Sequence, residues 1–492
     1  MQTLRSRSFA RPAAAAARPG ATAAAVRRRA ATPAPTTTPT TTNRPLYDVL
    51  GVGQALVDMQ FTVDDEGDGD NSAILSQLGV PKGGRRVVSP AERGEHVALL
   101  LESGAGEPRI SAGGSLSNTL IGLARLGRAA GRPLSVAMGG SVGGDDVLGR
   151  LARRELRRAG VKEVASLSPP EDALAATTTP ITRETGTVIV VTSRRDAQRS
   201  FLACFPPDTS LQLEAEAAAR EEEEQLEAEK EPTTALRRAA QNTALLALEG
   251  YVLELPGAAE ALPSLAALAH AAGARVALAA GDAGVVRRHR QAVRALLRGG
   301  LVDVLLANAE EAEALLAAIA DDEAEAGGTA TAAGAEAAAR LLARRLGPGA
   351  LVSVTDGSRG AYLASSASVE EEDDVKVELA VVPPCWLRDA PVDTTGAGDA
   401  YAAGLLFGVA SALASSSSSS SPHPLDLHAL GAAARRAAGA VIARVGPALT
   451  EEDAMGVVAG ASRSSSSSSA STARRVAAPG SGGVRMPELA RR

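Results

Sequence analysis

From residue 244 onward the chain alternates short apolar runs with longer, helix-spaced segments, a rhythm that few folds accommodate. Segments 244–248, 275–279, 302–306 and 351–354 read as strands, and 257–272, 283–297 and 309–319 as the helices between them. Strands separated by helices return to the sheet by crossovers, so they run parallel and are covered on both faces. The N-terminal half fits the same plan. Residues 46–53 read as a buried strand, 116–126 as a helix, 134–138 as a strand and 145–158 as a helix. The β-branched segment 187–192 can pair with 199–204, which leaves a smaller, irregular part as a lid.

Composition narrows the class. Hydrophobic residues make up 45% of the 492, but aromatics only 2%, so Ala, Leu and Val must fill the core. Two cysteines, Cys204 and Cys385, make no disulfide framework or metal cluster. No apolar run approaches the roughly 20 residues of a membrane span, so the chain reads as soluble with no membrane partner. The first 47 residues hold eight arginines and no lysine or acid. That composition predicts an organelle transit peptide over 1–45, the alternative being a basic arm for nucleic acid. Subtracting its charge of +8 from the formal −6 leaves −14, which argues against binding a nucleic-acid backbone. Composition alone does not separate plastid from mitochondrion.

Three low-complexity stretches read as additions to the fold. Residues 214–231 hold nine glutamates against one Arg and one Lys, and 415–421 is an unbroken serine run. Residues 451–492, with serines 464–469 and a basic end, are expected to be a disordered tail.

The chemistry concentrates in Val392-Asp393-Thr394-Thr395-Gly396-Ala397-Gly398-Asp399-Ala400. Small residues directly before a helical pattern leave bare backbone N–H groups at a helix start, where they and the helix dipole hold an anion. The Asp399 carboxylate falls in the first turn, facing whatever the anion is attached to. An anion cradle with a base beside it is the minimum equipment for moving a phosphoryl group onto a hydroxyl. The plain alternative is a capped helix start. Asp58 follows a predicted strand, where open α/β sheets place ligands, and Asn308-x-x-Glu311 is a helix-capping pattern. None of the four lysines follows a Gly-x-x-x-x-Gly, so there is no P-loop, and the five histidines have no ligand spacing.

These residues resemble the PfkB family, the ribokinase-like carbohydrate and nucleoside kinases. The 392–400 segment is similar to the family's second signature and Gly113-Gly114-Ser115-Leu116-Ser117-Asn118-Thr119 to its first. Gly53-Gln54-Ala55-Leu56-Val57-Asp58, Asn308-Ala309-Glu310-Glu311 and Thr355-Asp356-Gly357-Ser358-Arg359-Gly360 resemble further elements, in the family's order over about 46–450. Ala55-Leu56-Val57-Asp58 and Leu248-Glu249-Gly250-Tyr251 look like the adenosine-kinase branch, with Tyr251 either lining the substrate site or packing.

The resemblance implies a three-layer α/β/α sandwich with a mainly parallel central sheet and a small β lid, formed by about 61–88 and 161–204. It assigns Asp399 as general base, with Gly396, Ala397 and Gly398 as the anion hole. Asp58, Gly113, Gly114 and Asn118 would bind the acceptor. Asn308, Thr355, Gly357 and Gly360 would border ATP. Glu311 would act on Mg²⁺ through water, and Asp393 and Thr395, closed by Gly446, would form a potassium site. The implied activity is transfer of a phosphoryl group from ATP to a sugar or nucleoside hydroxymethyl group. Adenosine itself as substrate, or a plastid regulatory or scaffold role on the same fold, stay open beside it. So does a homodimer through the lid. Plastids hold such proteins, so the implied location is the chloroplast.

Overall fold

A computed structural model describes residues 45–63, 73–144, 146–166, 184–195, 198–205, 211, 232–320, 334–367, 376–385, 391–416 and 425–468. The expected leader before residue 45, the acidic stretch 214–231, Trp386, the serines from 417 and the tail beyond 468 lie outside those residues.

Thirteen strands form one continuous sheet. In chain order the first seven are β1 (Tyr47–Val63), β2 (Arg85–Val87), β3 (Arg109–Gly113), β4 (Val136–Val142), β5 (Lys162–Ser166), β6 (Thr187–Ser193) and β7 (Arg199–Cys204). They are followed by β8 (Thr243–Glu249), β9 (Arg275–Ala279), β10 (Val304–Asn308), β11 (Leu351–Thr355), β12 (Ala361–Ala367) and β13 (Lys376–Val382). The main layer runs β13-β12-β11-β10-β9-β8-β1-β4-β5. It is parallel apart from β12 and β13, which return antiparallel as hairpins. Helices cover both faces, giving the expected sandwich. The turn after β11 shows why a glycine stands at 360: its φ is +99°, and a Cβ there would lie 2.1 Å from the Val382 carbonyl oxygen.

The expected first strand ends at residue 53, but β1 continues ten residues further. Its first half lies between β4 and β8 in the main layer; its second half leaves that layer and pairs with β3 and β6. Together with β7 and β2 these strands make the lid. Asp58 therefore sits inside a strand, at the crossing from main layer to lid, and not at a strand end. The lid boundaries shift too. β3 belongs to the lid although it falls outside both expected segments, and β5, inside the second, pairs with β4 in the main layer.

Two other expectations change. Glu451–Ser468 is a helix in the described chain, because Ala454 and Val457 give it a buried face. Ala397–Ser415 is long and apolar enough to cross a membrane, contrary to the sequence reading. It is instead a core helix, burying Ala400, Ala403, Leu405 and Leu406. Its first serines, 415 and 416, extend the helix.

Close packing of the helix Ser115–Ala129 on β1 sets the geometry of the site. The helix crosses at Gly51 and Gly53, where side chains are absent, so Leu116 and Leu120 rest on the strand itself. A Cβ on Gly51 would lie 2.6 Å from Leu120 Cδ1. Gly51→Ala is therefore expected to destabilise the protein by about 1–3 kcal/mol through overpacking. Urea unfolding measures this, and an unchanged midpoint would contradict the packing described.

Candidate active site

The two signature segments meet at Asp399. Ser115 Oγ donates to its Oδ1 at 2.7 Å, and Asn118 Nδ2 donates to Oδ2 at 2.9 Å. Thr119 Oγ1 donates to the Asp399 backbone carbonyl at 3.2 Å. Ser115, Asn118 and Thr119 lie on one face of one helix, at i, i+3 and i+4, so a single face holds the carboxylate. Burial raises the Asp399 pKa to about 6, against the lowering effect of the Asn118 and Ser115 bonds.

Asp58 is also buried, and its pKa rises to about 7, first through burial and then through the charge of Asp399. Its neighbour is Gly113: a Cβ there would fall 2.3 Å from Asp58 Oδ1, so only glycine lets the backbone come so close. Gly114 takes φ +95° to start the helix, against the Gln54 carbonyl.

Glu249, at the end of β8, ties these parts together. It is 2% exposed, and its two carboxylate oxygens accept from the Gln54 N–H and the Leu116 N–H, both at 3.0 Å. Burial raises its pKa to about 7 despite those bonds. Next to it, the Gln54 side chain is 1% exposed and neither of its amide atoms has a partner among the described residues.

The helix Ala397–Ser416 begins with Gly396 at φ +74°, where a Cβ would meet the Pro447 carbonyl oxygen at 2.0 Å. The Ala397 N–H closes a turn on the Thr394 carbonyl at 3.3 Å. Among the described residues the Gly396 and Gly398 N–H groups have no such partner, which leaves them for an anion. Asp393 braces this loop. Its Oδ1 accepts from the Thr395 N–H and hydroxyl, and its Oδ2 from the Gly446 N–H at 3.0 Å. Arg199, from lid strand β7, adds an ion pair of 2.5 Å to Asp393 and a bond to the Thr394 hydroxyl. Burial works against the Asp393 charge, but the bonds from Thr395 and Gly446 and the Arg199 guanidinium outweigh it and hold the pKa low. A potassium ion at Asp393 fits this arrangement poorly, since a guanidinium already supplies the positive charge there.

On the other side, Asn308 and Glu311 form a reciprocal capping box, with Glu311 accepting from the Asn308 N–H at 2.9 Å and its side-chain amide at 2.7 Å. Glu311 is buried and its pKa rises to about 7, through burial and then the charges of Asp282 and Glu310. Glu310 is exposed and pairs with Arg287. Among the described residues no three His, Cys, Asp or Glu side chains converge as a metal site.

A cavity of about 770 Å³ joins these parts, lined by Asp58, Asn118, Glu249, Glu311, Thr355 and Asp399 among others. Gly396, Gly398 and Thr395 reach its wall; Gly113, Gly114, Ala397, Asp393, Gly357 and Gly360 do not. Ser115, Glu249, Gln54 and Arg199 were not assigned roles from sequence. A lone glutamate closing the apolar run Ala244-Leu245-Leu246-Ala247-Leu248 is a visible signal for Glu249. Nothing local marks Arg199, whose partner is 194 residues away.

An amide-lined helix start, a carboxylate held beside it and a lid over the joint cavity agree with what the chain is similar to. The chain belongs to the pfkB family of carbohydrate kinases, whose model matches residues 102–454, well over half its length. It is an enzyme of that family, a phosphotransferase. Among solved structures, adenosine kinase from Sinorhizobium meliloti is 27% identical with a TM-score of 0.56, covering 85% of this chain and 99% of that one. A probable sugar kinase from Rhizobium etli CFN 42 is 25% identical with a TM-score of 0.58, covering 86% and 99%. Adenosine kinase from Anopheles gambiae, in complex with P1,P4-di(adenosine-5) tetraphosphate, is 20% identical with a TM-score of 0.55, covering 82% and 97%, a likeness of fold alone. No curated protein matches the chain significantly in sequence.

Three buried acids and the half-buried Asp399 set the pH response. Asp58, Glu249, Glu311 and Asp399 all have folded pKa values above their ordinary ones, so the folded state favours their protonated forms. Their contribution to stability is full below about pH 4 and is lost as pH rises through about 6 to 7. Asp399→Asn removes one such group, so the variant should gain stability relative to the parent between pH 4 and pH 7. Urea unfolding at both values measures this; a constant difference would contradict the burial of an ionisable Asp399.

Proposed function

We propose that the enzyme transfers the γ-phosphoryl group of ATP to a hydroxymethyl group of a sugar or nucleoside, with Asp399 as general base. The supporting observation is the convergence of Ser115 and Asn118 on the Asp399 carboxylate, next to two unbonded amides and the buried Asp58. Transfer goes through a loose transition state, so catalysis rests on positioning and on stabilising charge. Asp58 would accept hydrogen bonds from acceptor hydroxyls, with Gly113 and Gly114 giving close backbone approach and Asn118 bridging to Asp399. The reacting hydroxyl then lies beside the Asp399 carboxylate, which takes its proton as the oxygen–phosphorus bond forms and the bond to the β-phosphate oxygen breaks. The Gly396 and Gly398 N–H groups would hold the migrating phosphoryl oxygens, with Ala397 completing the turn.

Asn308 and Thr355 would border the nucleotide. Gly357 and Gly360 would act there by shaping the turn after β11. Magnesium, when bound to the nucleotide, neutralises phosphate charge; the chain's part is Glu311, in a pocket already crowded by Asp282 and Glu310, reaching the ion through water. The names of the similar structures, an adenosine kinase and a probable sugar kinase, support both acceptor classes. The Arg-rich leader supports import into an organelle, a chloroplast by the family resemblance or else a mitochondrion.

An ADP-release assay over sugars and nucleosides tests the reading. Asp399→Asn should lower kcat by about 10² to 10⁴-fold, the usual worth of a general base, while ATP affinity is kept. In the parent enzyme kcat/KM should fall below about pH 6 as Asp399 is protonated. Full activity in the Asn variant, or no phosphorylation of any acceptor by the parent, would overturn it in favour of a regulatory role.

A further inference from the structure

Arg85 is the cavity group that the reaction described above does not use. It opens lid strand β2 and lines the cavity. Its guanidinium carbon lies 4.6 Å from the centre of the Tyr251 ring and 5.6 Å from that of Phe205. A guanidinium held over aromatic rings keeps its charge, and its N–H donors can still serve a ligand. Its neighbours Arg287 and Arg288 have carboxylate partners, Glu310 and Glu254, and Arg199 has Asp393. Among the described residues no carboxylate pairs with Arg85.

The position of this group in the cavity is set by the sheet. Arg85 lies opposite Phe201 on β7. Arg199 is two residues before Phe201 and points to the Asp393 end, whereas Phe205 is four residues after it. The two arginines therefore have different surroundings, Arg199 against Asp393 and Arg85 against aromatic rings. Glu249 stands between, feeling the charges of both Asp399 and Arg85. Rings are also concentrated here: in a chain with five phenylalanines and four tyrosines, Phe201, Phe205, Tyr251 and Tyr401 all line the cavity.

We infer that Arg85, set against the Tyr251 and Phe205 rings, is a specificity residue that binds an oxyanion, a carboxylate or phosphate, on the acceptor. A guanidinium fork matches either group with two parallel hydrogen bonds, and its fixed stacking lowers the ordering cost of binding. The acceptor is then an acidic or phosphorylated sugar in preference to a neutral sugar or nucleoside. This inference rests on the kinase reading for which hydroxyl reacts, but binding can be measured apart from turnover.

The test is calorimetric titration of the full-length Asp399→Asn protein with D-gluconate, fructose 6-phosphate, fructose, ribose and adenosine. One of the two anionic probes should bind at least tenfold more tightly than every neutral one; gluconate alone marks a carboxylate site, fructose 6-phosphate alone a phosphate site. Adding Arg85→Met should remove that preference, and Arg85→Lys should keep part of it because the charge remains. Circular dichroism checks that each variant is folded. Tightest binding by a neutral acceptor, or an anion preference that survives Arg85→Met, overturns the inference. If the parent phosphorylates neutral acceptors through Asp399 while no anion preference exists, the inference fails and the kinase reading stands. If anions bind through Arg85 but the parent phosphorylates nothing, the reverse holds.

Discussion

The structure turns on the bonds that Ser115 and Asn118 give to the two oxygens of Asp399. They bring together helix starts 281 or more residues apart in the chain. Everything the cavity does depends on where this places one carboxylate. The bonds orient it, the surrounding protein excludes water, and the pKa of about 6 that results still leaves it mostly ionised at neutral pH. A base with that value is strong enough to accept a proton in the transition state without holding one in the resting enzyme.

Glu249 supports this arrangement from below. By accepting the N–H groups of Gln54 and Leu116 it fastens β1 to the helix that carries Ser115 and Asn118. Buried carboxylates are costly, and three of them, Asp58, Glu249 and Glu311, lie around one cavity with the half-buried Asp399. Glu249, Glu311 and Asp399 each accept two hydrogen bonds, which offsets part of that cost. Stability is given up where the reaction needs charge, a common pattern at active sites.

Much of this was legible in the sequence because its signals are local. The alternation of strands and helices after residue 244 required nothing beyond period and spacing. Gly396, Gly398 and Asp399 could be placed because a run of small residues before a helix leaves its amides bare, and because the segment resembles a family signature. The long continuation of β1 was not legible, since residues 54–63 alternate no differently whether the strand stops or crosses to another layer. Its partners β3 and β6 are distant in sequence. Arg85 and Arg199 were invisible for the same reason: each looks like an ordinary surface arginine until the lid folds over the cavity. The helix Glu451–Ser468 was hidden by its serines, while Ala454 and Val457 were too few to signal a buried face.

The most direct measurement is a crystal structure of the enzyme with an acceptor and a non-hydrolysable ATP analogue. The account predicts the acceptor's primary hydroxyl within about 2.6–3.2 Å of an Asp399 carboxylate oxygen, with the γ-phosphate against the Gly396 and Gly398 amides. A hydroxyl bound elsewhere, with Asp399 still closed on Ser115 and Asn118 and facing no ligand, would contradict it.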